Sequence, residues 1–184
     1  MKIHKYKDYD EYVSEQTKYN KKKIRNVYVK ESTIKRISEI QEAASSILCH
    51  GTRNGAEIKF FETYYPNATV TGSEISETAK NFPNTVQWDM QEPKEEWVGK
   101  YDVVYSNSFD HAIDPVKCLT TWKEQLAPYG RLFVEASLGW HNFSTSMDPL
   151  EISKKELLDI AEQVKLGHFH EWGIGDGVIV FAFK

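Results

Sequence analysis

The chain has 184 residues, of which 40% are hydrophobic, 13% aromatic and 27% charged, and its formal net charge is −4. This length suits one folded domain, and the composition excludes a disordered or low-complexity chain. We find no apolar run near the roughly 18 residues of a membrane-spanning helix and no N-terminal export signal, so we expect a cytoplasmic protein without a membrane partner. Cys49 and Cys118 lie in apolar or helical contexts, which disfavours a disulfide framework.

Residues 1–45 are polar and have a helical pattern, and their second half is basic. From Lys18 to Arg36 there are eight basic residues and one acid. Such a segment could contact an anionic partner such as nucleic acid, or it could be a solvated helix face or a flexible arm. Ser32 or Thr33 is a suitable N-cap for a helix that continues to Ala44. We predict a helical arm over residues 1–32 and a domain over residues 33–184.

After residue 45, apolar runs alternate with segments of helical periodicity. The predicted strands are 46–50, 68–73, 85–88, 101–106, 131–136, 167–172 and 178–183, and the predicted helical segments are 55–64, 76–82, 115–126 and 151–164. This alternation predicts an α/β fold in which helices cover both faces of a mostly parallel sheet. The last two strands are joined by only five residues, so we predict an antiparallel C-terminal hairpin.

A glycine-rich turn follows the first of these strands. Gly51 and Gly55 allow the backbone to approach a ligand closely, and the next helix begins with free N–H groups. Glu74 follows the second strand, where an acid can accept hydrogen bonds from ribose hydroxyls. This order predicts a nucleotide-type ligand.

The usual middle glycine of such a turn is Arg53 in this chain. Its guanidinium could bind a carboxylate, either that of the ligand or that of Asp110. Alternatively, Arg53 could pair with Glu57 one helical turn away.

With these elements in order, the chain resembles class I S-adenosylmethionine-dependent methyltransferases over about residues 33–184. The resemblance implies a three-layer sandwich with a seven-stranded, Rossmann-like sheet and S-adenosyl-L-methionine as cofactor. In that family the glycine turn packs against the methionine part, an acid such as Glu74 binds the ribose, and an acid such as Asp89 contacts the adenine amino group. The cofactor-binding residues implied in this way are Gly51, Thr52, Arg53, Gly55, Glu74, Ile75, Asp89, Met90 and Asn107.

The acceptor side is predicted from the segments that follow the fourth and fifth parallel strands. Asp110, His111 and His141 are candidate catalytic residues there, because histidine is a natural base at neutral pH. A base is needed only when the acceptor must lose a proton, and each histidine could instead be structural. His168 and His170 share one strand face without a third nearby ligand, so no metal site is predicted.

The prediction is therefore a methyltransferase that acts on an unidentified acceptor, with a small molecule favoured. One alternative is a non-catalytic S-adenosylmethionine-binding module or partner subunit. Another is a nucleic-acid methyltransferase that uses the basic segment, although the acidic remainder of the chain disfavours it. A nicotinamide-dependent enzyme is a third. The oligomeric state is not predicted.

Overall fold

The computed structural model describes residues 1–139 and 142–184. The strands are β1 (Lys2–Ile3), β2 (Ser46–His50), β3 (Thr69–Glu74), β4 (Thr85–Gln87), β5 (Tyr101–Ser106), β6 (Leu126–Ser137), β7 (Leu150–Glu151), β8 (His168–Gly175) and β9 (Val178–Phe183). The α-helices are α1 (Tyr9–Lys22), α2 (Glu31–Ile40), α3 (Ala56–Tyr64), α4 (Pro115–Glu124) and α5 (Lys154–Gln163). Short 3₁₀ helices cover Glu77–Asn81, Glu95–Trp97 and Phe109–His111.

A seven-stranded sheet in the order β4-β3-β2-β5-β6-β9-β8 forms the centre of the molecule. The first five strands in this order are parallel to one another, whereas β9 runs antiparallel to both β6 and β8. The mostly parallel sheet and the antiparallel C-terminal hairpin that the sequence predicts are therefore confirmed. The bounds predicted for β2, β5 and β9 are also those of the structure.

Helices cover both faces of this sheet and create two apolar layers. On one face, Leu119 and Trp122 of α4 pack with Leu157 of α5. On the other, Ile34 of α2 packs with Phe61 of α3. This is the predicted three-layer arrangement. No helix in the described part of the chain is both long and apolar enough to cross a membrane.

Some element boundaries differ from the prediction. The helix α2 begins at Glu31 after Lys30, so the predicted N-cap at Ser32 or Thr33 is wrong. Thr33 instead lies on the buried face of that helix. The last helix begins three residues later than predicted, because Ser153 caps it and forms a reciprocal capping box with Glu156.

The N-terminal segment contacts the rest of the chain at two places. The strand β1 pairs antiparallel with β7, which precedes α5. In α1, the side chains of Tyr12, Gln16 and Asn20 are buried at intervals of four residues, so they share one face of the helix. The helical character of this segment agrees with the sequence pattern, and its separation from residues 33–184 as a unit stays a prediction.

The turn between β2 and α3 requires glycine at its first position. Gly51 has a φ of +71°, and a Cβ atom there would lie 2.5 Å from Ser108 Oγ and 2.6 Å from Ser108 Cβ. Gly55 has a φ of +72° and is the N-cap of α3. Positive φ is costly for residues with a Cβ, and Arg53 nevertheless adopts a φ of +42°. The turn therefore packs tightly against the segment that follows β5.

Two carboxyl groups are buried on the α3 side of the sheet, near its carboxyl edge. Glu57 Oε1 accepts a hydrogen bond of 3.2 Å from Asn107, and its Oε2 has no partner among the described residues. Glu135 Oε1 accepts a hydrogen bond of 2.5 Å from the Tyr105 hydroxyl. Burial raises the pKa of Glu57 to about 7 and that of Glu135 to about 7. Both side chains are therefore largely protonated in mildly acidic solution.

Gly51→Ala is expected to destabilise the protein more than Gly99→Ala. Both glycines have a φ near +70°, but nothing lies within 4 Å of a Cβ at Gly99. The left-handed backbone should cost each variant about 1–2 kcal/mol. Overlap with Ser108 should cost Gly51→Ala about 1–3 kcal/mol more. Urea denaturation measures both values, and equal losses would contradict the tight packing of the turn.

Glu57→Gln is expected to stabilise the protein in alkaline solution. The folded-state pKa lies above the usual value, so the folded chain holds a proton that the unfolded chain releases. The unfolding free energy of the natural protein therefore falls as the pH rises from about 4.5 to about 7, and the loss persists above that range. The substitution removes this loss, and the gain at pH 8.5 should reach up to about 3 kcal/mol.

The matched control is Glu42→Gln, at an exposed position. Thermal or urea denaturation at pH 4.5 and 8.5 should show a gain for Glu57→Gln only at the higher pH. An equal gain in the unfolding free energy at pH 4.5 and pH 8.5 would show that ionisation of Glu57 is not the cause of the gain.

Candidate active site

A cleft with about 560 Å³ of atom-free space lies at the carboxyl ends of β2, β3 and β5. Five of its lining residues belong to the N-terminal segment, and the others end or follow a strand or precede β7. The lining residues are Tyr12, Gln16, Tyr19, Asn20, Lys23, Gly51, Arg53, Glu74, Ile75, Trp88, Asp89, Met90, Ser108, His111 and Met147.

The structure brings most of the predicted site residues to this cleft. Those that line it are Gly51, Arg53, Glu74, Ile75, Asp89, Met90 and His111. Thr52 is their neighbour in the chain, but it is buried. Its side chain packs against Gly72, where an added Cβ atom would lie 2.8 Å from Thr52 Oγ1. Gly55 caps α3, and Asn107 donates to Glu57. His141 lies outside the described residues.

Glu74 joins two loops of the cleft. Its Oε2 accepts a hydrogen bond of 3.0 Å from the Arg53 backbone N–H, and its Oε1 accepts one of 3.1 Å from the Ser76 backbone N–H. A carboxylate has about four acceptor positions, so about two remain for a ligand. Glu74 is only 6% exposed, and hydrogen bonds to a shielded carboxylate are strong.

Asp89 forms the far end of the cleft together with α1. Its Oδ1 accepts a hydrogen bond of 2.9 Å from the Gln91 backbone N–H. Its Oδ2 accepts one of 2.8 Å from the Tyr9 hydroxyl. Burial and the nearby Asp89 charge raise the pKa of Tyr9 well above its usual range, so this hydroxyl remains a donor. The first turn of α1 is therefore held against the loop that follows β4.

Arg53 has a different partner from those that the sequence suggests. Its guanidinium lies over the Tyr28 ring, with Cζ 4.8 Å from the ring centroid, which is a cation–π contact. Within the described ranges, no ion pair joins Arg53 to Glu57 or to Asp110. The predicted Glu57 pair is therefore not formed. Binding of a ligand carboxylate by this side chain stays a prediction.

His111 contacts α1 at Gln16, about two helical turns after Tyr9, which binds Asp89. Its Nδ1 is 2.7 Å from Oε1 of Gln16. Its Nε2 is 3.8 Å from Oδ1 of Asp110 and 3.7 Å from Oδ1 of Asp148. Burial raises the pKa of Asp110, and the charge of Asp148 acts in the same direction. The arrangement gives one imidazole with carboxylates beside one nitrogen and an amide beside the other.

The contribution of α1 and of the segment before β7 to the cleft was not predicted from the sequence. Tyr12, Gln16 and Asn20 recur at intervals of four, which places polar atoms on one helix face, and this spacing is the signal that could have revealed them. Asp148 carried no comparable signal, because it becomes a neighbour of His111 only through tertiary folding.

The basic segment divides between the cleft and the surface. Lys23 lines the cleft. Lys21 forms an ion pair with Glu77, and both Lys35 and Arg36 pair with Glu39. Acidic neighbours therefore accompany several of these charges.

No protein-family model matches the chain, and no curated protein sequence matches it. Solved structures do match, although their sequence identity is low. The 1,6-didemethyltoxoflavin-N1-methyltransferase of Burkholderia thailandensis, with bound 1,6-didemethyltoxoflavin and S-adenosylhomocysteine, has a TM-score of 0.74 at 15% identity, over 98% of this chain and 91% of that chain.

Two further matches are similar to this chain. The N-methyltransferase NodS of Bradyrhizobium japonicum, in complex with S-adenosylhomocysteine, has a TM-score of 0.67 at 14% identity, over 92% of this chain and 97% of that chain. Human N-acetylserotonin methyltransferase, in complex with S-adenosylmethionine, has a TM-score of 0.70 at 13% identity, over 94% of this chain and 56% of that chain. The sheet order, the closing hairpin and these matches together show that the chain has the class I S-adenosylmethionine-dependent methyltransferase fold.

Proposed function

We propose that the chain is an S-adenosylmethionine-dependent methyltransferase with a small-molecule acceptor. The observation that carries the proposal is the position of two buried carboxylates, Glu74 and Asp89, after neighbouring strands on one cleft. The glycine turn after β2 lies in the same cleft. The proteins of similar structure are crystallised with this methyl donor or its demethylated product, which supports the same ligand here.

The residues of the cleft fit the parts of such a donor. The Gly51 turn would hold the methionine part, and the free acceptor positions of Glu74 would accept the ribose hydroxyls. Asp89 with Met90 would bind the adenine, with the Asp89 carboxylate accepting from the exocyclic amine. Met90 is 6% exposed and supplies an apolar surface beside that carboxylate.

The donor supplies an activated methyl group on a sulfonium, so much of the rate would come from alignment. The chain's contribution would be to orient the donor and the acceptor and to exclude water from the cleft. His111 also lines the cleft, where it could act as a base that takes a proton from the acceptor.

A small-molecule acceptor is favoured over nucleic acid for two reasons. The acceptor bound to the similar Burkholderia thailandensis enzyme is a small molecule. In addition, several charges of the basic segment are already paired with acids, including Lys21 with Glu77 and Arg36 with Glu39. These charges are less available to a phosphate backbone.

Isothermal titration with S-adenosylhomocysteine tests the cofactor half of the proposal. The protein should bind this compound, and NAD should not compete with it. Glu74→Gln should weaken binding by at least about tenfold, because one charge-assisted hydrogen bond is worth about 1.5–3 kcal/mol. The matched control is Glu77→Gln, whose carboxylate is half-exposed and paired with Lys21.

The absence of binding by the natural protein would overturn the proposal. Equal binding by the natural protein and Glu74→Gln would overturn the placement of the ribose. Because Glu74 also accepts two backbone hydrogen bonds, circular dichroism is needed to show that the variant is folded.

The transferase half is tested with methyl-tritiated S-adenosylmethionine and a small-molecule extract. Tritium should enter a compound of low molecular mass. Binding of the donor without any transfer to small molecules, RNA or DNA would favour a non-catalytic binding module.

A further inference from the structure

We propose that Gln16 of α1 is a positioning residue that fixes the tautomer of His111, leaving Nε2 as the nitrogen with a free lone pair. The role of that nitrogen as a base rests on the function proposed above. The tautomer itself follows from the hydrogen-bond network alone and can be measured separately.

The orientation of the Gln16 amide is set by an acceptor that cannot donate. Its Nε2 is 3.1 Å from the backbone carbonyl oxygen of Met147. It also lies 3.4 Å from the Tyr6 hydroxyl, which itself donates to the carbonyl of Ser146 at 2.8 Å. Both neighbours therefore act as acceptors toward Gln16, so its NH₂ group faces them and its Oε1 faces His111.

This orientation determines where the imidazole carries its proton. Oε1 of Gln16 can only accept, and it lies 2.7 Å from Nδ1 of His111. Nδ1 must therefore be the protonated nitrogen of the neutral ring. Gln16 is 6% exposed, so water competes little for this hydrogen bond.

The free lone pair on Nε2 then lies near two carboxylates. Oδ1 of Asp110 is 3.8 Å from Nε2, and Oδ1 of Asp148 is 3.7 Å from it. While both acids are ionised, neither carboxylate oxygen nor Nε2 has a proton to donate. Without Gln16, the negative charges of the two carboxylates would favour the proton on Nε2. Gln16 therefore selects the tautomer that the carboxylates alone would disfavour.

The selected tautomer is the one that suits a base. As the lone pair of the acceptor atom forms its bond to the methyl carbon, the carbon–sulfur bond breaks and its electron pair goes to sulfur. The proton of the acceptor atom passes to Nε2 of His111. The imidazolium that results lies beside Asp110 and Asp148, whose negative charges stabilise it.

The backbone of His111 is held by the same helix face. Its carbonyl accepts a hydrogen bond of 3.2 Å from the Tyr12 hydroxyl, one helical turn before Gln16. The ring and the main chain of His111 are thus both bound to α1. The N-terminal segment therefore contacts both His111 and Asp89.

The test is ¹⁵N NMR of full-length protein labelled at histidine, in the presence of S-adenosylhomocysteine and with His111→Asn to assign the signals. The natural protein should show a protonated Nδ1 and a bare Nε2 at His111. Gln16→Leu should move the proton to Nε2. Gln16→Glu, which restores an acceptor, should return it to Nδ1, and the same Leu substitution at exposed Gln163 should change nothing.

The proposal is overturned if the natural protein carries the proton on Nε2, a result that needs no variant to fold. It is also overturned if Gln16→Leu retains the proton on Nδ1. In the tritium assay, Gln16→Leu should lose about 10²-fold or more of its transfer rate and Gln16→Glu should recover most of it. If the expected tautomers occur but neither the natural protein nor any variant transfers a methyl group, the proposed function fails while the positioning role of Gln16 stands.

Discussion

Hydrogen bonds across the carboxyl ends of β2, β3 and β5 hold three loops at one point of the sheet. The register places His50 opposite Ser73 on one side and opposite Ser106 on the other. Beyond these strands, the Gly51 N–H donates to the Ser73 carbonyl at 2.8 Å, and Ser108 Oγ donates to the Gly51 carbonyl at 3.3 Å. The turn after β2 is therefore hydrogen-bonded to the ends of both neighbouring strands, which fixes its position in the cleft.

His50 contributes to the same region from inside the sheet. Its Nδ1 is 2.7 Å from the Ser73 hydroxyl and its Nε2 is 2.8 Å from the Gln125 side-chain carbonyl oxygen. Burial lowers its pKa to about 4, so the ring stays neutral under ordinary conditions. A neutral ring can hydrogen-bond to both partners without placing a charge beneath the cleft. His50 therefore has a structural role in holding the loops and no catalytic one.

Helix α1 lies against the carboxyl ends of the strands and forms one wall of the cleft. Tyr9 reaches Asp89 at one end, and Gln16 reaches His111 at the other. The pairing of β1 with β7 anchors the chain ahead of this helix. One helix therefore contacts both the proposed adenine-binding residue Asp89 and the proposed base His111. The position of α1 would thus link donor binding to the orientation of the base.

The sequence predicted the sheet well because its strands are buried and alternate clearly with helices. The glycine turn, Glu74 and Asp89 were also identifiable, since each lies at or just after the end of a strand. The part of the cleft that α1 forms was not identified from the sequence. The spacing of Tyr12 and Gln16 indicates that they share one face of a polar helix, but only the tertiary fold places their polar atoms against the ends of strands. The guanidinium of Arg53 shows the same limit, because its contact with Tyr28 joins segments that the sequence pattern does not relate.

Hydrogen–deuterium exchange with and without S-adenosylhomocysteine tests the central claim most directly, namely that one cleft is formed jointly by the strand ends and α1. The compound should slow exchange in the turn at residues 51–55, in the loops after β3 and β4, and in α1 at the same ligand concentration. Protection of the turn and loops alone, with α1 unchanged or exchanging faster, would contradict the claim.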